Sequence, residues 1–294
     1  MRARLRGVAL VAVGGVQLLG GSAAQGQVAD TADTAEGATP RDWSFPVGER
    51  MEYSVTWGRL RLGEGSLTVE AIDTIAGYPA YRVALEMWGG PPFYRVRDRQ
   101  VTWIRPRPLS SLRFEQRLSE GSYRRDTRYE LDVDDLTYDR YDLRDDEWRP
   151  RESETAVDMP VNALDDLSYL FLARLLPLEV GARYEFERYF KESGNPLVIE
   201  VLRREEIRVP AGTFNTIVLR PIVKTGGAFG EGGEAELYVT DDDRRTIVRL
   251  RTSMSVGSGN MFLTRYDPGD GAMITGEAAP ADAARVVDSA AEGR

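Results

Sequence analysis

The chain has 294 residues, 38 basic and 47 acidic side chains, no histidine and no cysteine, for a formal charge of −9. These absences exclude disulfide staples, thiolate nucleophiles, histidine-based triads and zinc sites built on Cys or His. The acidic balance makes nucleic acid and anionic surfaces poor general partners, local basic patches excepted.

Arg2, Arg4 and Arg6 precede an apolar stretch from Val8 to Leu19, and Ser22-Ala23-Ala24 offers a small-residue cleavage site. This pattern predicts a cleavable export signal over residues 1–24. The apolar stretch is short against the roughly 20 residues of a spanning helix. No later segment is long and apolar enough to span a bilayer as a helix, so the processed chain is expected to lack one. The absence of cysteine rules out lipid attachment at a cleaved terminus. Loss of the three arginines takes the formal charge from −9 to near −12. Residues 25–41 are small, polar and aperiodic, which predicts a disordered linker.

Residues 42–266 read as a single duplicated β domain. Met51, Tyr53, Val55 and Trp57 alternate with Glu52, Ser54 and Thr56, and the same period of two recurs over Tyr123–Leu131 and Leu197–Leu202. Alternation of this kind predicts half-buried antiparallel strands. The strand region also repeats. Gly48-Glu49-Arg50-Met51-Glu52-Tyr53 returns as Gly181-Ala182-Arg183-Tyr184-Glu185-Phe186, and the segments around Gly77, Gly89-Gly90, Phe114 and Gly121 return in order around Gly212, Gly226-Gly227, Leu250 and Gly257. The offset drifts only from 133 to 137, so one repeat spans about 48–131 and the second about 181–266. The connector, 132–180, contains a helix expected over 162–176, capped by Asn162, with Asp165 and Asp166 in its first turns and Pro177 ending it. Its apolar residues cover more than one stripe, so it should be buried on several sides. The expected fold is mainly β: one curved antiparallel sheet or open barrel of two pseudo-repeats, with this helix packed in its hollow. Residues 267–294, rich in Ala, Gly and Asp, read as a disordered tail.

Several of these residues together resemble the bacterial exported family known as domain of unknown function 3108. They are Gly48-Glu49 with Tyr53, Gly63 with Gly65, Asp165-Asp166-Leu167-Ser168-Tyr169-Leu170 ending in Arg174, Val209-Pro210-Ala211-Gly212-Thr213-Phe214, and Thr240-Asp241 with Arg244-Arg245. The resemblance covers roughly 46–266. It implies an exported, mainly β envelope protein and transfers no catalytic residue. By architecture alone, a helix in a curved sheet is similar to the lipoprotein-carrier folds of the bacterial envelope.

Candidate ligand contacts fall in three groups. Gly89-Gly90-Pro91-Pro92-Phe93 and Gly226-Gly227-Ala228-Phe229 read as paired lips with aromatic tips, and neither has the Gly-Lys-Ser/Thr ending of a phosphate loop. The plainer reading is two long hairpin loops. Arg95, Arg97 and Arg99 share one strand face; turned inward they could hold a carboxylate, phosphate or acidic sugar, and turned outward they would pair with acids on the neighbouring strand. Trp88 is free to stack on a ligand, and Phe171 would face the hollow from the helix. Asp132-Val133-Asp134-Asp135 lacks the glycine of a calcium loop and reads as an acidic connector, and Asp241-Asp242-Asp243 reads as a hairpin turn.

No metal or other cofactor is implied. The leading functional expectation is a non-enzymatic envelope protein, in the periplasm or at the periphery of the outer membrane, that binds an amphipathic or polymeric ligand, lipid-like or glycan, in a concave sheet. A scaffold or assembly factor binding an envelope partner protein is the alternative. A polysaccharide-acting enzyme built on two carboxylates is a further one.

Overall fold

The computed structural model describes residues 41–274 except 59, 92, 145, 224–233 and 255–256, and leaves aside the side chains of 234, 253, 254, 257 and 258. The expected export signal, most of the expected linker and the part of the expected tail beyond Ile274 lie outside these residues.

The period-two segments form strands β1 (Arg50–Trp57), β2 (Leu60–Ile75), β3 (Tyr78–Gly89), β4 (Val96–Pro106), β5 (Leu109–Glu120), β6 (Tyr123–Asp132), β7 (Thr137–Arg144) and β8 (Glu147–Pro150). After the short β9 (Val157–Asp158) and helix α1 (Asp166–Leu175) come β10 (Arg183–Phe186), β11 (Leu197–Val209), β12 (Gly212–Ile222), β13 (Glu234–Thr240), β14 (Ile247–Met254) and β15 (Gly257–Asp267). All belong to one antiparallel sheet in the order β10-β11-β12-β13-β14-β15-β1-β2-β3-β4-β5-β6-β7-β8, with β9 added on β7. The sheet does not close, because β8 and β10 end the path unpaired with each other. Six strands, β1–β6, correspond one for one with β10–β15, and β2 and β11 carry bulges at related places, Val69/Ala71 and Val201/Arg203. The seam between these halves is the β1–β15 ladder, which pairs the first strand with the last.

Local chemistry explains the joints. Ala76 (φ 49°) and Gly77 (φ 84°) make the two-residue turn between β2 and β3, a geometry that needs positive φ at both places. Gly63 faces Gly89 across β2 and β3, and a Cβ on Gly63 would lie 2.2 Å from the carbonyl oxygen of Trp88. The two glycines therefore let these strands approach more closely than side chains permit.

The helix starts later than Asn162. That residue lies in a left-handed conformation (φ 54°) three positions upstream. Asp165 is the cap: its carboxylate accepts from the amides of Leu167 and Ser168 at 2.8 and 3.0 Å, and Ser168 Oγ returns a bond from the Asp165 amide. A side chain reaches those amides only from the position directly before the first turn, so the capping box outranks Asn162. The helix ends at Leu175, short of Pro177.

α1 is buried along its length, from Leu167 to Leu175. It fills the concave side of the sheet and bonds to both halves. Asp165 accepts from Thr102 of β4 at 2.5 Å, Ser168 bonds to Ser111 of β5 at 2.8 Å, and Tyr169 donates to the Val198 carbonyl of β11. Phe171 stacks on Trp43, which stacks on Tyr81, with ring centroids 4.9 and 4.7 Å apart. At the far end Arg174, 0% exposed, donates to both carboxylate oxygens of Glu49, 2% exposed, at 2.9 and 2.6 Å. It also donates to the carbonyls of Arg245 and Arg244 in the β13–β14 turn and lies 3.7 Å over the Phe45 ring.

After Asp267 the chain does not leave the surface at once. Gly271 donates to the Val47 carbonyl, Val47 donates to the Ala272 carbonyl, and the Ile274 amide donates to the hydroxyl of Tyr81. The first residues of the expected tail are thus held by backbone hydrogen bonds, which small residues allow by coming close to a neighbouring strand.

Removing one partner of a buried, fully bonded ion pair leaves an uncompensated charge, at about 3–5 kcal/mol. Arg174→Ala should lose stability of that order in urea unfolding. Replacing both residues, Glu49→Leu with Arg174→Met, should cost clearly less than the sum of the single changes.

Candidate functional site

Which face of the sheet holds a site is decided by β4. Thr102 points inward to Asp165 of α1, and Gln100 and Asp98, in the same phase, are buried. Arg97 and Arg99 are in the opposite phase and stand on the outer face. The inward alternative for the arginines does not occur, because their strand phase is set by Thr102 and Ile104 entering the core. Arg95 precedes the strand, is exposed, and accepts a bond at its carbonyl from Gly121.

The outer faces of β3 to β6 carry matching side chains. Trp88 pairs with Arg97, Glu86 with Arg99, Arg99 with Arg117, Arg117 with Asp126 and Ser119 with Arg124 across successive ladders. Together they line an open groove of about 670 Å³. Arg99 is fixed: it bonds to Glu86 at 2.7 Å and to both oxygens of Glu70 at 2.9 Å. Arg97 makes no ion pair, Arg117 only faces the Trp148 ring at 5.8 Å, and Arg124 donates to the carbonyls of Gly121 and Tyr123. The groove therefore holds four guanidinium groups against the two outward carboxylates of Glu86 and Asp126. Trp88, 38% exposed, forms the wall between this groove and a smaller cavity of about 300 Å³ lined by Arg61, Glu64 and Thr264.

Directly beneath, on the inner face, Asp98 and Glu120 form a close carboxyl pair. Asp98 accepts from the Ser119 amide at 2.8 Å, yet its Oδ2 and Glu120 Oε1 have no donor. One proton between the two carboxyls would satisfy both. Burial, and then the neighbouring Asp98 charge, push Glu120 up to about 7, and burial raises Asp98 as well. The hydroxyl of Tyr94, from the β3–β4 loop, acts the other way and lowers the Glu120 pKa.

The remaining expected contacts divide. Phe93 is 88% exposed at the tip of the β3–β4 loop. Phe171 is fully buried in the core stack, with Trp43, which the expected linker boundary placed at the margin of the domain, beside it. Phe229 lies outside the described residues. The grooves described here contain no residue of α1. Asp132 bonds to the amides of Asp134 and Asp135, and Asp242 to those of Arg244 and Arg245, which makes both acidic runs turn caps. Arg117 and Arg124 were not singled out from sequence, although Arg113, Glu115 and Arg117 alternate with Phe114, Gln116 and Leu118. The Asp98–Glu120 pair had no sequence signal, since only the β4–β5 register brings it together.

The family model described as "Protein of unknown function (DUF3108)" matches residues 52–264. The chain belongs to this family. No curated protein matches it. Among solved structures, this DUF3108 protein is similar to a β-barrel-like protein of the DUF1849 family from Brucella abortus, at 8% identity and a TM-score of 0.48, over 77% of this chain and 100% of that one. It is similar also to the hypothetical protein CT021 from Chlamydia trachomatis, at 8% identity and a TM-score of 0.34, over 80% of this chain and 92% of that one.

A buried acid whose pKa is raised on folding binds its proton in the folded state while the unfolded chain releases it. Its stabilising share is complete below the ordinary carboxylate value of 4.5 and is lost as pH rises through about 7. The melting temperature of this DUF3108 protein should fall from pH 5 to pH 8. Glu120→Gln, which keeps a donor to Asp98 and removes the titration, should flatten that fall in a calorimetric series.

Proposed function

We propose that this protein is a non-enzymatic, exported binding protein of the cell envelope, and that it holds an anionic polymeric or amphipathic ligand on the outer face of β3–β6. The carrying observation is the set of arginines left without a carboxylate partner in the groove, Arg97, Arg117 and Arg124. Many guanidinium groups elsewhere on the sheet are neutralised by neighbouring acids, as Arg113 is by Glu130 and Arg183 by Glu200 and Glu185, whereas the three in the groove stand together without one. Guanidinium groups offer planar paired donors that fit carboxylate, phosphate or sulfate, and Trp88 beside them offers a face for a sugar ring or an apolar chain. Arg99, held by two glutamates, keeps the floor of the groove in one shape. An export segment at Arg2–Ala24 supports an envelope location.

The concave side supports this reading less well than the outer face. The space around α1 is occupied by Trp43, Phe45, Tyr81 and Phe171, whose rings are in mutual contact. The edge strands β8 and β10 have four residues each, and β8 ends in Pro150, so a partner protein would find little strand to pair with. The close carboxyl pair of Asp98 with Glu120 is buried in the opposite strand phase from Trp88, which favours binding over carboxylate catalysis at that ring.

Hydrogen bonds to charged groups contribute about 1.5–3 kcal/mol each. An oligomer of uronic acid, titrated calorimetrically into the purified protein, should bind in a salt-sensitive manner. Arg97→Gln with Arg117→Gln should weaken binding by roughly 100-fold, corresponding to about 3 kcal/mol for the pair. Arg203→Gln, on β11, should leave it unchanged. Binding undiminished in the double variant would refute the groove as the site.

A further inference from the structure

Antiparallel order places the β1–β2, β3–β4 and β5–β6 turns at one end of the sheet. That end carries Leu60 (67% exposed), Trp88, Phe93 and Tyr123 (46%), four of the seven large hydrophobic side chains that stand exposed among the described residues. The other three, Val161, Val180 and Met273, are single residues on other segments. Scattered apolar residues on a surface need no explanation, but four on three neighbouring turn tips form a fringe. The fringe is also cationic. Arg95 and Arg97 follow Phe93 in sequence, Arg124 follows Tyr123, and none of the three has a carboxylate partner.

Bilayer interfaces select this combination. Aromatic rings settle at the depth of the headgroups, and arginines there meet lipid phosphates. Among the described residues no helix is long and apolar enough to cross a membrane, so contact of this kind would be peripheral. We propose that this end of the sheet docks on an anionic lipid bilayer, with Leu60, Phe93, Tyr123 and Trp88 entering the headgroup layer and Arg95, Arg97 and Arg124 holding lipid phosphates. The charge of the whole chain restricts the orientation of such contact. At −9 the protein is repelled by an anionic surface in most orientations, so the unpaired arginines also set which end approaches. The inference stands apart from capture of a soluble ligand in the groove, although Arg97, Arg124 and Trp88 lie at the border of both.

Co-sedimentation of the purified full chain with vesicles tests it. Phosphatidylglycerol vesicles should bind the protein at least about tenfold more strongly than phosphatidylcholine vesicles, with a blue shift of tryptophan emission as Trp88 leaves water. Leu60→Ser with Phe93→Ser should reduce phosphatidylglycerol binding about tenfold, and so should Arg95→Gln with Arg124→Gln. These residues are exposed, so circular dichroism should stay as in the parent, and uronate binding in the groove should be unchanged in Leu60→Ser with Phe93→Ser. Failure to bind phosphatidylglycerol vesicles would overturn the proposal, which covers the case in which the fringe meets a protein. Loss on removing the arginines with no loss on removing the apolar tips would overturn it as well, since that outcome is anion capture by the groove alone. Should uronate binding fail while the vesicle results hold, only the groove assignment falls.

Discussion

The guanidinium of Arg174 is the point through which the two halves of the sheet are joined from inside. It sits at the C-terminal end of α1, where the helix dipole favours a cation, and binds Glu49 just before β1. The same side chain binds two carbonyls of the β13–β14 turn and covers Phe45. The other end of α1 is fixed by Asp165 and Ser168 to β4 and β5. One ten-residue helix thus spans from the first half of the sheet to the second. An open sheet of this length has no ring closure to set its curvature. In its place the helix, bonded at both ends and packed along its sides, sets how far the halves bend toward each other.

This arrangement has a consequence for function. A curved sheet with an empty hollow would offer an apolar site, but here the hollow is filled by α1 and by the aromatic stack through Trp43. The two largest cavities among the described residues lie on the outer face. Its lower part around Trp103 is covered by its own apolar cluster of Tyr78, Val101 and Leu112, with Arg113 over the indole at 5.3 Å. Toward the turn end the cover changes to ion pairs around Arg99, then to the unpaired arginines and Trp88, and finally to the exposed tips. The gradient runs from self-satisfied to unsatisfied chemistry along one set of strands. The Asp98–Glu120 pair lies under the unsatisfied part, and burial raises the pKa of both acids there.

Much of the architecture was legible because it depends on period and punctuation. Alternation over Met51–Val55 gave β1, Gly77 and Gly212 marked hairpins, and the return of Gly48–Tyr53 at Gly181–Phe186 located strands that correspond in the two halves. The helix was legible from its leucines, but its start was not, since Asn162 and Asp165 are both good caps and only the geometry of the chain entering from β9 separates them. Which face a strand shows to the core was harder. Arg95, Arg97 and Arg99 alternate equally well with either phase inward, and the decision came from Thr102 and the bulge at Trp103/Ile104. Phe171 carries a related ambiguity. A residue on a helix in a hollow can line a cavity or plug it, and the plug here is Trp43, far away in sequence. Sites assembled across strands, such as Arg97 with Arg117 or Asp98 with Glu120, depend on register, which sequence alone leaves open.

The central claim is that α1 makes the inside of the sheet a closed core and leaves recognition to the outer face of β3–β6. Amide hydrogen exchange, recorded with and without an anionic ligand, tests both parts in one measurement. The account predicts that the amides of α1 exchange only by global unfolding and respond to ligand no more than the rest of the core. Local protection should appear instead in the β3–β4 and β5–β6 segments around Trp88, Arg97 and Arg124. Fast exchange in α1, or ligand-induced protection centred on α1 and Phe171, would contradict it by showing that the helix leaves the hollow and that the ligand enters there.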